Sequence, residues 1–417
     1  MRLGAISDDF TGGLELASML VARGADCGLV TDWRAIADAG ELDAVVVAQK
    51  IRTIAAADAV AQADAAAAAL LAAGAERLFY KYCATFDSTD AGNIGPVTDK
   101  LAARTGVRVV SFTPSFPEVG RTVYQGHLFV GDRLVSQSAK RFDPLTPMTD
   151  PDLVAVLERQ TDAKVGLVPL DVVAKGPEAI RARLDDLQAA GVTRAIVDSV
   201  FPSDLCRVAR AVATDTLSTG GSSVADYFPE TWRSEGWKPR EVGALPKVKP
   251  GRGAVLAGSC AERTLEQLRV FESEYPVIRL ELDHEPHASV AAMLGALDSL
   301  AQDGPVAFFT SAAPDAVAKV QDKFGARCAA QRAEAVLSAA AVALRDRGFT
   351  RFVVAGGETS GAVVSALGIR RMHVGPYRGP GISMAVAADG VPLGLCLKSG
   401  KLGPPDLFAT MLAEMGE

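Results

Sequence analysis

The sequence is poor in the residues that carry metal and thiol chemistry. Its 417 residues include six cysteines and four histidines. The cysteines (Cys27, Cys83, Cys206, Cys260, Cys328 and Cys396) are scattered, with no C-x-x-C pair. They read as small buried apolar side chains in a reducing compartment, not as a disulfide frame. His284 and His287 lie close together, but Pro286 interrupts any helix that would align them and no third ligand accompanies them, which argues against a metal site. His127 and His373 read as structural, and spacing gives no Ser-His-Asp or Cys-His arrangement. A basic block is also missing. Lys and Arg number 43 against 50 Asp and Glu, a net charge of −7, so a concentrated positive face for nucleic acid is excluded. The longest Ala/Leu-rich runs, Ala63–Ala75 and Ala333–Leu344, are too short and alanine-heavy to span a bilayer. Asp8 and Asp9 fall where a secretory leader would be apolar. These absences predict a cytoplasmic protein with small-molecule ligands and neither nucleic-acid nor membrane partners; whether it is a homo-oligomer stays open.

What is present is an ordinary globular composition, 49% hydrophobic and 22% charged, in a chain long enough for two cores. Extended apolar runs (Leu3–Ser7, Cys27–Thr31, Ala44–Ala48, Arg77–Tyr82, Val107–Phe112, Val165–Pro169, Arg194–Asp198) alternate with amphipathic stretches such as Gly13–Arg23 and Pro177–Ala190. Such alternation predicts an α/β fold with mainly parallel sheets. Thr113–Thr149, rich in Pro, Gly and aromatics, reads as a functional excursion with a hairpin at Gly131-Asp132. Pro239–Gly253 has no periodicity and is dense in Pro, Gly and Lys. We therefore place the first domain at 1–244, a linker at 245–252 and the second domain at 253–417. Beyond the linker come strand candidates Ala254–Ala257, Val277–Leu282, Val306–Thr310, Phe352–Ala355 and Met372–Val374, and a closing hairpin that turns at Asp389-Gly390.

Two kinds of corner follow these strands. In the second domain they are rich in glycine and hydroxyls: Gly258-Ser259-Cys260, then Gly356-Gly357-Glu358-Thr359-Ser360-Gly361, then Lys398-Ser399-Gly400-Lys401-Leu402-Gly403. Each alone is also what a tight turn uses. Three loops converging at the carboxyl edge of one parallel sheet suit a nucleotide. Gly356 and Gly357 let a phosphate approach the backbone, Thr359 and Ser360 can cap the next helix or donate to the ligand, and the helix N-terminus offers free N–H groups. Neither G-x-x-x-x-G-K-[ST] nor a G-x-G-x-x-G after the first strand occurs, which excludes a P-loop and disfavours a dinucleotide oxidoreductase. The corner of the first domain is acidic. Asp8 and Asp9, with Thr11 beside them, end the first strand and suit a general base on a substrate hydroxyl or a magnesium ligand, against a solvated turn. After Arg77–Tyr82 come Lys81 and Ser88, suited to an anionic group, and Asp87, suited to a hydroxyl. Arg121 offers a carboxylate-binding fork.

At these residues the sequence resembles the four-carbon acid sugar kinases. Ser7-Asp8-Asp9-Phe10-Thr11-Gly12-Gly13 is similar to their N-terminal signature. Lys81-Tyr-Cys-Ala-Thr-Phe-Asp87-Ser-Thr-Asp-Ala-Gly-Asn93-Ile-Gly-Pro, Gly120-Arg-Thr-Val-Tyr124, Gly258-Ser-Cys260, Gly357-Glu-Thr-Ser-Gly361 and Leu397-Lys-Ser-Gly400 resemble further family blocks, and the likeness runs from residue 3 to about 408. The resemblance implies an N-terminal acid-sugar-binding domain and a C-terminal nucleotide-binding domain facing an interdomain cleft, with ATP and Mg2+ as cofactors. Its wording is most like the kinases of 3-oxo-tetronate, ahead of those of D-threonate or D-erythronate. It implies Asp9 as base with Asp8 beside it, and Thr11, Lys81, Asp87, Ser88 and Arg121 on the acid sugar. Ser259, Gly357, Glu358, Thr359, Ser360, Gly400 and Gly403 would hold the nucleotide. A non-catalytic regulator that binds the same ligands is the rival of a different class.

Overall fold

A computed structural model describes residues 1–143, 145–240, 244–300, 304–310 and 323–416. The chain divides into two compact units, Met1–Val242 and Gly243–Glu417. Residues 241–243 of the segment read as a linker lie outside the described residues.

The strands of the first unit are β1 (Leu3–Ser7), β2 (Cys27–Val30), β3 (Ala44–Ala48), β4 (Arg77–Lys81), β5 (Val110–Thr113), β6 (Arg121–Tyr124), β7 (His127–Val130), β8 (Arg133–Leu134), β9 (Val165–Val168), β10 (Arg194–Val197) and β11 (Leu217–Gly220). All but β6–β8 form a parallel sheet in the order β2-β3-β1-β4-β11-β5-β10-β9. Runs such as Ala-Val-Val-Val-Ala in β3 are buried at every position, as strands covered on both faces must be. Helix α1 (Phe10–Ala22) follows β1, α2 (Ala56–Ala72) follows β3, and α3 (Ile94–Thr105) follows β4. In α2 the alanines at 59, 63, 66, 67 and Leu70 are buried against the sheet. Their small size permits a close approach; a Cβ at Gly4 of β1 would already lie 3.0 Å from the Cβ of Leu70.

The register places Ser7 beside Ala48 on one side and Lys81 on the other. After β1 the chain runs toward β2, and after β4 it runs the opposite way, so a crevice opens between the carboxyl ends of β1 and β4. In open α/β sheets such a switch point is where ligands sit. The excursion after β5 forms the antiparallel β6-β7-β8 sheet, with the expected turn at Gly131, whose φ of 64° favours glycine. Strand β11 has no counterpart in the sequence reading. Leu-Ser-Thr-Gly carries one apolar residue, yet it is buried throughout between β4 and β5. Thr219 is satisfied internally, its Oγ1 donating to the Ser111 carbonyl at 2.8 Å.

The second unit contains β12 (Arg252–Ala257), β13 (Val277–Arg279), β14 (Val306–Phe309), β15 (Phe349–Ala355), β16 (Arg371–Val374), β17 (Ile382–Ala387) and β18 (Gly394–Lys398). Their order is β13-β14-β12-β15-β18-β17-β16, with the β16–β17 and β17–β18 pairs antiparallel and the rest parallel. The chain again leaves β12 and β15 in opposite directions, so a second switch point lies between them. Phe352 of β15 is fully buried. Phe352→Ala is expected to cost about 3–5 kcal/mol, read as a lower midpoint of denaturant unfolding; an unchanged midpoint would show that this core tolerates the loss.

Candidate active site

At the first switch point the carboxyl ends of three neighbouring strands supply opposite charges. Asp8 and Asp9 follow β1, Arg52 follows β3, and Lys81 ends β4. Asp9 caps α1, its Oδ1 accepting from Gly12 N at 3.1 Å. Lys81 Nζ donates to Asp9 Oδ1 at 2.9 Å and lies 3.6 Å from Asp8 Oδ1. Arg52 holds Asp8 with both prongs, Nε to Oδ2 at 2.7 Å and Nη2 to Oδ1 at 2.8 Å, and Nη2 also lies 2.9 Å from Asp9 Oδ1. Both oxygens of Asp8 are thus taken by the guanidinium. Burial alone would push the Asp9 carboxyl up, but Arg52 and Lys81 outweigh it and hold Asp9 well below the usual carboxylate range. Lys81 is raised above the ordinary lysine value, the pull of Asp9 and Asp8 exceeding the effect of its burial. Gly12 is required here, since a Cβ would lie 1.6 Å from Lys81 Nζ.

The backbone fixes Arg52 as firmly as its charge does. Ile51 and Arg52 donate N–H to the Asp8 carbonyl at 3.1 and 3.2 Å. The amide of Asn93 donates to the carbonyls of Ile51 and Arg52 at 2.6 and 3.2 Å.

A second cluster continues from the first. Thr85 donates to Asp87 Oδ1 at 2.6 Å, and Lys140, from the excursion after β5, lies 2.8 Å from the same oxygen and 2.9 Å from Asp143 Oδ2. Against burial, Lys140 and Arg52 hold the Asp87 carboxyl below its ordinary value. The intervening Phe86 is buried at φ 53° with its ring edge-on to Tyr82 at 5.4 Å. A bulky residue in that region stores on the order of 1–3 kcal/mol, and such strain concentrates at functional turns. Ser88 Oγ accepts from Gln160 Nε2 at 2.8 Å and borders a cavity of about 310 Å³ with Asp90, Thr149, Asp150 and Arg159 on its wall. Arg121 sits apart from both clusters, its guanidinium donating to the Val119 carbonyl. Thr11 Oγ1 is buried beside Asp9 with no hydrogen-bond partner.

The second switch point is built from glycines and neutral oxygens. Gly258 and Ser259 donate N–H to the Ala355 carbonyl, each at 3.2 Å. A Cβ at Gly258 would lie 2.3 Å from Thr359 Oγ1, and one at Gly400 would lie 2.0 Å from Ser259 Oγ. The three corners singled out in the sequence are therefore in mutual contact. The helix Gly357–Ala366 is capped by Gly356 at φ 124° with no side-chain acceptor, and its N-terminus carries the partial positive charge of the helix dipole. Neither Thr359 nor Ser360 is the cap, contrary to one reading of the sequence. Ser360 is buried and donates to the Gly356 carbonyl at 2.8 Å.

Arg52, Lys140 and Gln160 are polar residues of these sites that the sequence reading did not single out, and Lys398 was named there only as the start of the third corner. Arg52 lies four residues past β3 and could have been found by extending the strand-end argument to that strand. Lys140 and Gln160 come from segments without periodicity and leave no such signal. Because Arg52 holds Asp9 low, its contribution to stability is full above the ordinary carboxylate value, about 4, and is lost as pH falls below it. The deficit in melting temperature of Arg52→Met against the wild type should accordingly be large at pH 7 and shrink toward pH 3; a deficit independent of pH would show that the guanidinium acts by packing alone.

Comparison with known proteins follows the same division. Residues 3–228 match a sugar-binding N-terminal domain, and residues 254–408 match a nucleotide-binding C-terminal domain. The chain is 44% identical to a 3-oxo-tetronate kinase of Cupriavidus necator, over 99% of this chain and 97% of that one. It is 43% identical to one from Pseudomonas fluorescens, over 99% and 97%. A crystal structure from Salmonella typhimurium LT2 is 34% identical with a TM-score of 0.86 over 98% of both chains, although that chain carries a tRNA-synthase name. A Haemophilus influenzae structure is 33% identical with a TM-score of 0.76, over 99% of this chain and all of that one. With both domain types matched in order and full-length relatives above 40% identity, this chain belongs to the four-carbon acid sugar kinase family.

Proposed function

We propose that this protein transfers the γ-phosphoryl group of ATP to the 4-hydroxyl of a 3-oxo-tetronate, with Asp9 accepting the hydroxyl proton. The observation that carries the reading is the placement of Asp9, an ionised carboxylate at the mouth of the β1/β4 crevice, steadied by the Gly12 N–H, Lys81 and Arg52. A carboxylate held this low is a weak base. Phosphoryl transfer depends mainly on positioning and charge neutralisation, so an oriented acceptor for the hydroxyl proton is what the reaction asks of it. Lys81, Arg52 and Lys140 are the cations available to the acid end of the substrate. Each already holds a protein carboxylate, so an incoming anion binds by exchanging partners with Asp8, Asp9 or Asp87. Asp87 and Ser88 complete the polar wall, and the unpartnered hydroxyls of Thr11 and Thr113 are donors for substrate oxygens. Arg121 gives one N–H to the Val119 carbonyl and keeps further donors for an anion.

The loops at Ser259, Gly357–Ser360 and Gly400–Gly403 are assigned to ATP, with Glu358 on the nucleotide side. Mg2+ is held in such reactions by phosphate oxygens and one or two carboxylates. Among the described residues no three His, Cys, Asp or Glu side chains are grouped to cage a metal, which suits a cation carried on the nucleotide. Among those same residues no helix is long and apolar enough to cross a membrane, in keeping with a cytoplasmic site of action.

Asp9→Asn is expected to lower kcat by roughly 100-fold or more with nucleotide affinity nearly intact; near-wild-type turnover in the folded variant would shift the role to Asp8 or remove it. Substrate choice turns on one carbonyl in place of one hydroxyl. A donor such as Thr113 or Ser88 facing that position favours the ketone, and a carboxylate favours the alcohol. Coupled ADP release should give a kcat/KM for a 3-oxo-tetronate at least about tenfold above D-threonate and D-erythronate, a preference of about 1.4 kcal/mol. Preference for either alcohol would defeat the substrate and leave the kinase standing, and no ADP release with any four-carbon acid would favour a regulator.

A further inference from the structure

Lys398 ends β18, is fully buried, and has no task in the reading above. Its Nζ donates to Thr264 Oγ1 at 3.1 Å, Gln267 Oε1 at 2.5 Å and the Gly400 carbonyl at 3.3 Å. All three acceptors are neutral. Among the described residues no carboxylate comes within ion-pair distance of Nζ. The ionisable groups facing it are Arg263, of like charge, from the helix Glu262–Glu272, and Cys396 on its own strand. From the helix Leu407–Glu414 the Phe408 ring covers it at 5.7 Å. Burying an ammonium without a counter-charge is costly, and burial here pushes Lys398 down to about 8.

The groups that receive this ammonium also hold the third glycine corner. Thr264 Oγ1 donates to the Gly400 carbonyl at 2.8 Å, and Gln267 Nε2 donates to the carbonyls of Leu402 and Pro404 at 3.3 and 2.8 Å. The Lys398 carbonyl accepts from Gly356 N at 3.0 Å. One residue therefore ties the Gly356 corner to the Ser399–Gly403 loop and places a positive charge against that loop.

We propose that Lys398 is the charge-compensating and positioning residue of the nucleotide site, its buried ammonium balanced by nucleotide phosphates on the loops it braces. The inference rests on the assignment of those loops to ATP. An arriving polyanion stabilises the ammonium and raises its proton affinity, so binding draws a proton onto Lys398 in the range where it is partly neutral. Nucleotide affinity must then fall as pH rises through about 8. Phosphate groups complete their own ionisation near about pH 6 and exchange few protons at pH 8.

The test is calorimetric titration of the full-length protein with ADP at pH 8, in two buffers of different ionisation enthalpy. The wild type should take up a fraction of a proton per ADP. Lys398→Met should bind ADP at least about tenfold more weakly with no uptake and an unchanged KM for the acid substrate. Lys398→Arg, which keeps the charge but does not titrate, should bind more tightly than the methionine variant, also without uptake. Wild-type binding without uptake, or the same uptake in either variant, overturns the proposal. Should Lys398→Met fail to fold, the wild type and Lys398→Arg decide it. Failure of the wild type to bind ADP at all is a different result, and removes the nucleotide assignment itself.

Discussion

The first unit is organised around a buried lysine that needs two carboxylates. Lys81 ends a central strand, where water cannot solvate its ammonium, and only Asp9 and Asp8 on the neighbouring strand make that position tenable. Two acids against one lysine would leave negative charge unpaired, and Arg52 supplies the missing cation from the strand on the other side. Removing one member of such a buried group leaves another charge uncompensated, typically at a cost of about 3–5 kcal/mol. Much else near the crevice follows from this constraint. A Cβ at position 12 would displace the Lys81 side chain, which passes over it. Asn93 is committed to the carbonyls of Ile51 and Arg52 because the guanidinium must not move. Cationic side chains converge on one mouth, in keeping with the acid sugar proposed to bind there.

The two units place different chemistry at the same topological position. Each has a crevice where the chain leaves adjacent parallel strands in opposite directions. In the first, the walls are charged side chains. In the second, the walls are glycines and hydroxyls so close that a single Cβ at Gly258 or Gly400 would collide with Thr359 or Ser259. Backbone N–H groups recognise phosphate without side chains in the way. A small acid with several hydroxyls needs the directional partners that side chains provide.

Much of this was legible in the sequence because it is local. Strands such as Ala44–Ala48 are continuous apolar runs, and the glycine corners directly follow strands, so both elements and site loops could be located. What stayed hidden depends on tertiary placement. Strand β11 is polar in sequence, and its Thr219 finds partners inside the sheet in Tyr82 and the Ser111 carbonyl, which no window of four residues discloses. Lys140 reaches Asp87 from an irregular excursion 53 residues further along the chain, at a separation with no periodic trace. Arg121 offers a carboxylate fork by residue type, and in the fold one of its donors goes to a carbonyl two residues away. Residue type sets what a side chain can do, and the fold decides which partner it meets.

The sites also differ in how their charge is balanced, and this bears on how each recognises an anion. Around Asp9 every cation is already neutralised by a protein carboxylate. A substrate carboxylate there gains little from net field and must win by geometry, replacing one well-placed oxygen with another. Such a site suits discrimination among small acids that carry the same charge, because the energy separating them is hydrogen-bonding fit rather than attraction. Among the described residues, the Lys398 ammonium hydrogen-bonds neutral oxygens alone. On the proposed reading, a nucleotide phosphate on the braced loops would gain attraction that no carboxylate among the described residues supplies. Such a site suits tight capture of a polyphosphate whose identity is read elsewhere along the molecule. Both follow from where acids are placed at strand ends: two beside Lys81 and, among the described residues, none beside Lys398.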